Sequence, residues 1–244
     1  MATNLELKTN VQEDPSYLDV GPLVRAQNII ENWGSQKSYD VIADISRELF
    51  PGFRQEPTLY PSLLQMLRTS DAVLLNSDST PLHHFETKRL IGRYTDELDK
   101  RLEELPAYPE GHVEQIVNTG AWAYFTFVKM QPLVDGNKRV GRMILKRVLK
   151  GGGFRDIIFN NPRWFGVPHP GLLEAYERTA RTGNLAHMEK YLLTMLADNY
   201  PPNERGTEPI RKEIQAVYEK KQHEIASSQA PRGREAVWAE FAKI

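Results

Sequence analysis

The sequence of 244 residues contains no cysteine, which excludes disulfide bonds, thiolate catalysis and zinc–thiolate sites. A large excess of charge is also missing, because 31 lysine and arginine residues nearly balance 32 aspartate and glutamate residues. This balance gives no general reason to expect nucleic acid or an anionic membrane as a partner, and we predict neither. A local basic patch is still allowed.

Long apolar runs are missing as well. No segment approaches the ~20 apolar residues that cross a bilayer, and residues 1–20 contain no apolar core of a signal peptide. We therefore predict a protein of the cytoplasm, although export without a cleaved signal remains open. A chain of this length with 40% hydrophobic residues is long enough for one substantial core, with or without a smaller appendage.

Apolar residues recur at helical spacing along most of the chain, and proline or glycine interrupts the pattern at short intervals. The stretch from Ala121 to Met130 is densely apolar and aromatic, which is typical of a helix in the middle of a bundle. We predict an all-α fold with at most a small hairpin. The predicted helices cover residues 23–33, 39–50, 60–67, 85–105, 112–130, 138–150, 171–181, 185–198 and 208–225.

The most informative segment is residues 131–142, with the sequence QPLVDGNKRVGR, between two of the predicted helices. Arg139 and Arg142 are three residues apart and would share one face of the helix that follows the loop. The first turn of a helix also presents free backbone N–H groups and the positive end of the helix dipole. Together these features predict a phosphate-binding site.

The turn before this helix suits the same ligand. Gly136 and Asn137 supply a turn in which backbone amides can approach a ligand closely. Asp135 is a hard oxygen ligand beside that turn, suited to a magnesium ion that also binds phosphate oxygens. The residues alone leave one alternative open, which is an ordinary tight turn followed by solvated cations.

The segment resembles the motif of the Fic/Doc (Fido) family, whose pattern is His-x-Phe-x-(Asp/Glu)-Gly-Asn-(Gly/Lys)-Arg-x-x-Arg. The chain departs from the pattern at Gln131, where the family has histidine, and at Leu133, where it has phenylalanine. The resemblance covers about residues 70–197, so we predict a Fic-like helical core there, N-terminal helices packed on it in residues 1–69 and a C-terminal helical extension in residues 198–244. The matching residues are Asp135, Gly136, Asn137, Lys138, Arg139 and Arg142.

The resemblance implies a role for each matching residue. Asp135 would hold Mg²⁺, and Arg139 and Arg142 would neutralise the phosphates of ATP or another nucleotide. The lining of the phosphate cradle would be formed by Gly136, Asn137 and Lys138. The typical reaction of the family transfers AMP from ATP to a hydroxyl group, so the implied partners are a nucleotide or phosphorylated small molecule and a protein acceptor. Lys138 is like the Doc branch, in which ATP lies reversed and a phosphate is transferred instead.

The residue at position 131 determines which reactions the site can catalyse. In the family the histidine there deprotonates the attacking hydroxyl, whereas the neutral amide of Gln131 cannot accept a proton near pH 7. Three hypotheses follow: a Fic-type nucleotidyl- or phosphotransferase with an altered motif, a catalytically silent binding or regulatory protein, and a Fic-fold enzyme of small-molecule metabolism with different chemistry. His83 and His84 are candidates for a replacement base, because residues 76–86 resemble in position the family's substrate-positioning flap. The alternative is that both histidines are simply exposed.

A second resemblance concerns regulation. Some Fic proteins carry an inhibitory helix with the pattern (Ser/Thr)-x-x-x-Glu-(Gly/Asn), whose glutamate pairs with the second arginine of the motif. The sequence QNIIEN upstream fits this pattern at Glu31 and Asn32 but not at Gln27. The hypothesis is that Glu31 occupies Arg142 and blocks a terminal phosphate, and the alternative is a solvated glutamate on an amphipathic helix.

Overall fold

The structure is a computed structural model that describes residues 21–50, 53, 55, 58–59, 62–70, 82–155, 160–161, 164–168, 170–202 and 204–228. The helices of this part of the chain are α1 (Gly21–Glu31), α2 (Ser38–Leu49), α3 (Leu63–Met66), α4 (His84–Glu103), α5 (Val113–Met130), α6 (Asn137–Gly151), α7 (Pro170–Thr182), α8 (Ala186–Asp198) and α9 (Glu208–Ser227). Two short strands, β1 (Asn160–Asn161) and β2 (Trp164–Pro168), pair antiparallel between α6 and α7. The predicted all-α fold with a small hairpin is confirmed.

Helix α5 lies at the centre and packs against α4, α6, α8 and α9. Of its 18 residues, 14 are buried, as the dense apolar run in its second half predicts. Helix α6 approaches it closely at Gly141, because a Cβ atom there would lie 2.8 Å from Cγ2 of Val128. This approach brings the neighbouring Arg142 next to Tyr124 of α5.

The N-terminal helices α1 and α2 pack against each other, and both contact α6. Helix α2 also contacts α3 and α4. Its apolar residues recur at helical spacing, and Val41, Ile42 and Ile45 are fully buried. Phe50 follows the helix in an extended conformation and is also buried.

Helix α9 docks on α8 and α5 through one apolar face, formed by Ile210, Ile214 and Val217. Its Glu213 also accepts hydrogen bonds from the backbone N–H groups of Gly111, at 2.6 Å, and Val113, at 2.9 Å. A carboxylate at this place satisfies free N–H groups and complements the positive dipole end of α5. The C-terminal extension therefore supports the helix that leads into the motif.

A buried ion network joins the same helices. The Nζ atom of Lys221 lies 2.9 Å from Glu189, 3.2 Å from Glu114 and 3.2 Å from Glu224. Burial lowers the pKa of Lys221, but its hydrogen bonds to these glutamates raise it, and the net shift is upward. Lys221 thus has its buried charge compensated within the protein.

In the described part of the chain, no helix combines the length and the apolar composition needed to cross a bilayer. The cytoplasmic location remains a prediction.

Candidate functional site

The loop between α5 and α6 begins as an extended segment paired with the residues after α3. Leu133 forms an antiparallel bridge with Leu67. The N–H of Arg68 donates to the carbonyl of Pro132 at 2.9 Å, and the N–H of Val134 donates to the carbonyl of Met66 at 3.4 Å. These bonds fix the first half of the loop, because a proline at 132 ends α5 and the chain must find new backbone partners.

The side chain of Asn137 closes the second half of the loop. Its Oδ1 accepts from the N–H of Leu133 at 2.8 Å, and its Nδ2 donates to the carbonyl of the same residue at 2.9 Å. The side chain is buried, and both of its polar atoms are used within the loop. The resemblance implied that Asn137 lines the phosphate cradle, but in this structure its side chain builds the loop and only its backbone N–H can serve a ligand there.

Gly136 turns the chain into α6. Its φ of 78° is in the left-handed region, and a Cβ atom there would lie 1.4 Å from Cζ of Phe50. Only glycine fits both the dihedral angle and the aromatic ring that packs on it. The N–H groups of Asn137 and Lys138 follow in the first helical turn, where the helix itself offers them no acceptor.

Phe50 is a site residue that the sequence did not indicate. Its ring packs on Gly136 and also lies under the guanidinium of Arg139, with 4.7 Å between the Cζ atom of Arg139 and the ring centroid. Phe53 meets the same ring edge-on at 5.7 Å. The end of α2 therefore forms one wall of the turn, and it places a cation–π contact beside the expected phosphate position.

The two arginines of the motif have different environments. Arg139 is 37% exposed and forms an ion pair with Asp135, with 3.5 Å between Nη2 and Oδ2. Arg142 is buried, and burial lowers the pKa of its guanidinium, while Tyr124 raises it and the charge of Arg139 lowers it further. Two positive charges thus lie close together at the start of α6, one of them removed from water.

Burial also raises the pKa of Tyr124 to about 12, although the charge of Arg142 acts in the opposite direction. Tyr124 is therefore a neutral phenol near pH 7. It can offer Arg142 a dipole but not a compensating charge.

Asp135 is the residue for which the family resemblance implies magnesium binding. Its carboxylate is 74% exposed, and its Oδ1 accepts from the N–H of Gly136. Among the described residues, no three His, Cys, Asp or Glu side chains are grouped so that they could hold a metal ion. Asp135 would be one protein ligand, which suits Mg²⁺ because this ion is usually bound by one or two carboxylates together with water and phosphate oxygens.

Gln131 ends α5 with a φ of 48°, the only positive φ among the described residues other than glycine. Its side chain is 7% exposed, and its Nε2 donates to the carbonyl of Val128 at 2.6 Å. The amide is thus turned back onto its own helix. In this conformation it neither accepts a proton nor reaches into solvent.

Glu31 lies away from Arg142. Its carboxylate accepts a hydrogen bond from Gln27 at 3.0 Å and forms its ion pair with Lys150 at 3.4 Å, and these contacts lower the pKa of Glu31 in that order. Lys150 is eight residues beyond Arg142, about 12 Å along the axis of α6. The structure therefore places Glu31 on Lys150 instead of the predicted Arg142.

The two candidate replacement bases begin α4. His83 precedes the helix, and its Nδ1 accepts from the N–H of Phe85 at 3.5 Å. The rings of His83 and His84 are 4.5 Å apart, and the ring of His84 is 4.1 Å from that of Phe85. His83 is exposed and His84 is half-buried. The turn-rich residues 76–81, which the same prediction included, lie outside the described residues.

Part of the chain, including this loop, is similar to known proteins. Residues 37–149 match the model of the Fic/DOC family. We refer to these residues as the Fic/DOC segment. A solved structure of Fic-1 from C. elegans, residues 134–508, has a similar fold, with a TM-score of 0.54 and 14% sequence identity. The similarity covers 88% of this chain and 55% of that one, so the present chain spans about half of the Fic-1 structure. Among curated proteins no match is found.

The Fic/DOC segment, residues 37–149, differs in extent from the core that we predicted at 70–197. It includes α2 and Phe50, which the prediction placed in the N-terminal region, and it ends two residues before the end of α6. The wall that Phe50 gives to the Gly136 turn therefore lies within the family segment. The boundaries at residues 69 and 197 remain predictions.

Proposed function

We propose that the protein binds a magnesium-linked nucleotide, such as ATP, or another phosphorylated ligand at the start of α6. We further propose that it transfers a group from ATP to a hydroxyl acceptor such as a protein side chain. The group is either AMP, with pyrophosphate as the leaving group, or the γ-phosphoryl group, with ADP as the leaving group. The supporting observation is the pair of arginines on the first turns of α6, beside the left-handed turn at Gly136. The Fic/DOC match at residues 37–149 supports the same reaction class.

The ion pair between Asp135 and Arg139 fits this ligand. At 3.5 Å and with both side chains partly exposed, the pair is weak in water and can be exchanged at little cost. A phosphate would take Arg139, and Asp135 would then be available to Mg²⁺. When bound, the ion would neutralise phosphate charge and polarise the phosphorus–oxygen bonds.

Arg142 supplies the stronger interaction. Its guanidinium has already lost most of its water in the folded protein, so an anion that reaches it does not have to strip that water again. Charge-assisted hydrogen bonds from a guanidinium to phosphate are short and directional. With Arg139 beside it, the site offers two positive charges to a polyphosphate.

Gln131 limits the rate of any transfer. Without a general base at this position, the hydroxyl acceptor keeps its proton, and the loss is typically about 10²–10⁴ in rate. A base elsewhere, with His83 and His84 as the candidates, or an acceptor that needs no base would relieve this limit.

A second candidate function is binding without catalysis. The observation that favours it is the hydrogen bond of 2.6 Å between Gln131 and the carbonyl of Val128, which turns the side chain away from solvent. In that role the phosphate site would bind a nucleotide and the protein would act as a regulatory or interaction partner.

Two measurements separate these functions. Calorimetry with ATP, ADP and AMP, with and without Mg²⁺, tests binding, and we expect ATP with Mg²⁺ to bind. Transfer is tested with ATP labelled at the α- or the γ-phosphate, which also shows whether AMP or phosphate moves.

The variant Gln131→His is the sharpest probe of transfer. We expect it to gain about 10²–10⁴-fold in transfer rate, while the matched control Gln131→Asn, which keeps an amide, gains nothing. Binding with no transfer in any variant would favour the silent binder. No binding of any nucleotide or other polyphosphate would contradict both candidates.

A further inference from the structure

Arg68 is a buried arginine outside the motif whose guanidinium reaches three separate segments of the chain. Its Nε donates to the carbonyl of Gln131 at 2.6 Å, and its Nη1 donates to the carbonyl of Ser70 at 2.9 Å. Its Nη2 donates to the hydroxyl of Thr87 at 3.0 Å, to the carbonyl of Met130 at 3.4 Å and to the carbonyl of Leu82. Arg68 itself is only 4% exposed.

The position of this guanidinium has an electrostatic reason. The carbonyls of Met130 and Gln131 lie at the C-terminal end of α5, where the helix leaves carbonyls without partners and carries the negative end of its dipole. A cation at this end satisfies the carbonyls and complements the dipole. The planar fork of arginine can bond several carbonyls at once, which a lysine ammonium cannot do over the same span.

The bond to Gln131 acts on an unusual backbone conformation. Position 131 has a φ of 48°, a region that residues with a side chain rarely adopt without help from their surroundings. Arg68 holds the carbonyl of this residue through its side chain and the carbonyl of Pro132 through its backbone N–H at 2.9 Å. The direction of the side chain at 131 follows from this turn.

Arg68 also connects position 131 to the start of α4. Its bonds to Leu82 and Thr87 lie on either side of His83 and His84. The hydroxyl of Thr87 lies 3.3 Å from the carbonyls of both His83 and Met130. The start of α4 and the end of α5 are therefore joined through one guanidinium and one hydroxyl.

We propose that Arg68 is a positioning residue of the transfer site. Its guanidinium fixes the left-handed turn at position 131, and through that turn it sets the direction of the side chain at 131 and the start of the phosphate loop. This inference rests on the proposed function, because the orientation matters for chemistry only if the site carries out transfer.

The test compares Arg68→Lys with the control Arg89→Lys. Arg89 lies on α4, its side chain is 55% exposed, and it pairs with Glu86 at 2.8 Å. Replacing it with lysine therefore affects only an ion pair at the surface. The first readout is the backbone NMR signature of residue 131, its Cα shift and its H–N–Cα–H coupling, which report φ. We expect Arg68→Lys to move this signature and Arg89→Lys to leave it unchanged.

The second readout is transfer in the Gln131→His background. We expect Arg68→Lys to lower kcat at least about tenfold, because small misplacements of a reacting group cost up to about 10² in rate. The KM for ATP with Mg²⁺ should change less than kcat, since Arg139 and Arg142 are untouched. A role in stability alone would lower the melting temperature and leave both the NMR signature and kcat as in the parent, which would overturn the inference.

Two further results complete the test. If Arg68→Lys does not fold, Thr87→Val replaces it, because that variant removes one bonded hydroxyl at nearly constant volume, and the signature at 131 should still move. If no variant binds nucleotide or transfers a group, the proposed function fails. The NMR signature then still decides whether Arg68 sets the turn.

Discussion

Two buried cations show how differently this fold treats positive charge. Lys221 is 6% exposed and lies within 3.2 Å of three glutamates. Arg142 is 4% exposed, and the groups that act on its pKa besides burial are Tyr124 and a second arginine, Arg139. The pKa of Lys221 is raised and that of Arg142 is lowered. The surroundings of Lys221 thus favour its charged form, whereas burial and the charge of Arg139 disfavour the charged form of Arg142.

The largest expected effect concerns Lys221, whose charge is compensated by glutamates. Replacing Lys221 with Met removes the charge that compensates Glu189, whose side chain is 2% exposed. We expect a loss of about 3–5 kcal/mol in the free energy of unfolding, because a buried carboxylate is left uncompensated. Chemical denaturation measures this loss.

The matched control is Lys220→Met. Lys220 also contacts Glu114, at 2.7 Å, but its side chain is 62% exposed, so we expect a loss of about 1 kcal/mol or less. Equal losses for the two variants would show that burial does not distinguish the two ion pairs.

The next largest effect concerns Arg142 and the affinity for nucleotide. Replacing Arg142 with Met should weaken the binding of ATP with Mg²⁺ by about 10- to 100-fold, because each hydrogen bond to a charged group contributes about 1.5–3 kcal/mol. The free energy of unfolding should fall by less than in Lys221→Met, because the charge of Arg139 disfavours the charged form of Arg142. Calorimetry and denaturation measure the two quantities.

Lys150→Met is the control for this variant, because Lys150 lies on the same helix but pairs with Glu31. We expect nucleotide affinity to be unchanged in it. If Arg142→Met destabilises the protein as strongly as Lys221→Met and leaves affinity unaltered, Arg142 is a structural residue and the comparison fails.

The stability that the Lys221 network contributes should also depend on pH. The hydrogen bond from Lys220 lowers the pKa of Glu114, burial opposes this, and Lys221 lowers it again. A carboxylate with a lowered pKa contributes stability above its ordinary pKa of about 4.5 and loses it as the pH falls through the folded value. For Lys221 the raised pKa means that its contribution is complete below its ordinary value of 10.5.

The stability difference between the parent protein and Lys221→Met should therefore be largest from neutral pH to about pH 10 and shrink on acidification, as the carboxylates of the network take up protons. Denaturation across that range measures it. A difference that grows on acidification would have the wrong sign for this network.

The smallest effect concerns Glu31. Because its carboxylate is exposed and pairs with Lys150, we expect Glu31→Gln to leave the affinity for ATP with Mg²⁺ within about twofold of the parent. An affinity gain of tenfold or more would instead support the inhibitory contact with Arg142 that the sequence suggested.

Local patterns in the sequence were sufficient for most of the fold. The spacing of apolar residues located the long helices within a few residues, as for α4, predicted at 85–105 and observed at His84–Glu103. The resemblance at residues 131–142 also pointed to the Fic/DOC family, whose model matches residues 37–149. These features involve residues that are close together in the sequence, and periodicity and motifs detect such local patterns.

The parts that sequence missed depend on residues far apart in the chain. Phe50 packs on Gly136 across 86 positions, and Arg68 bonds Gln131 across 63. Neither pairing has a local pattern. Asn137 illustrates a different limit, because a motif shows that a residue type is required but not whether its side chain serves the ligand or the loop.

The most direct test of the phosphate site follows the two arginines themselves. Side-chain NMR resolves the Nε–Hε signals of Arg139 and Arg142 during titration with ATP and Mg²⁺. We predict that both signals move along one saturation curve. The signal of Arg155, which lies outside the motif and pairs with Glu204, should stay in place. Saturation of the protein with nucleotide while both motif signals stay still, or no binding at any concentration, would contradict the account.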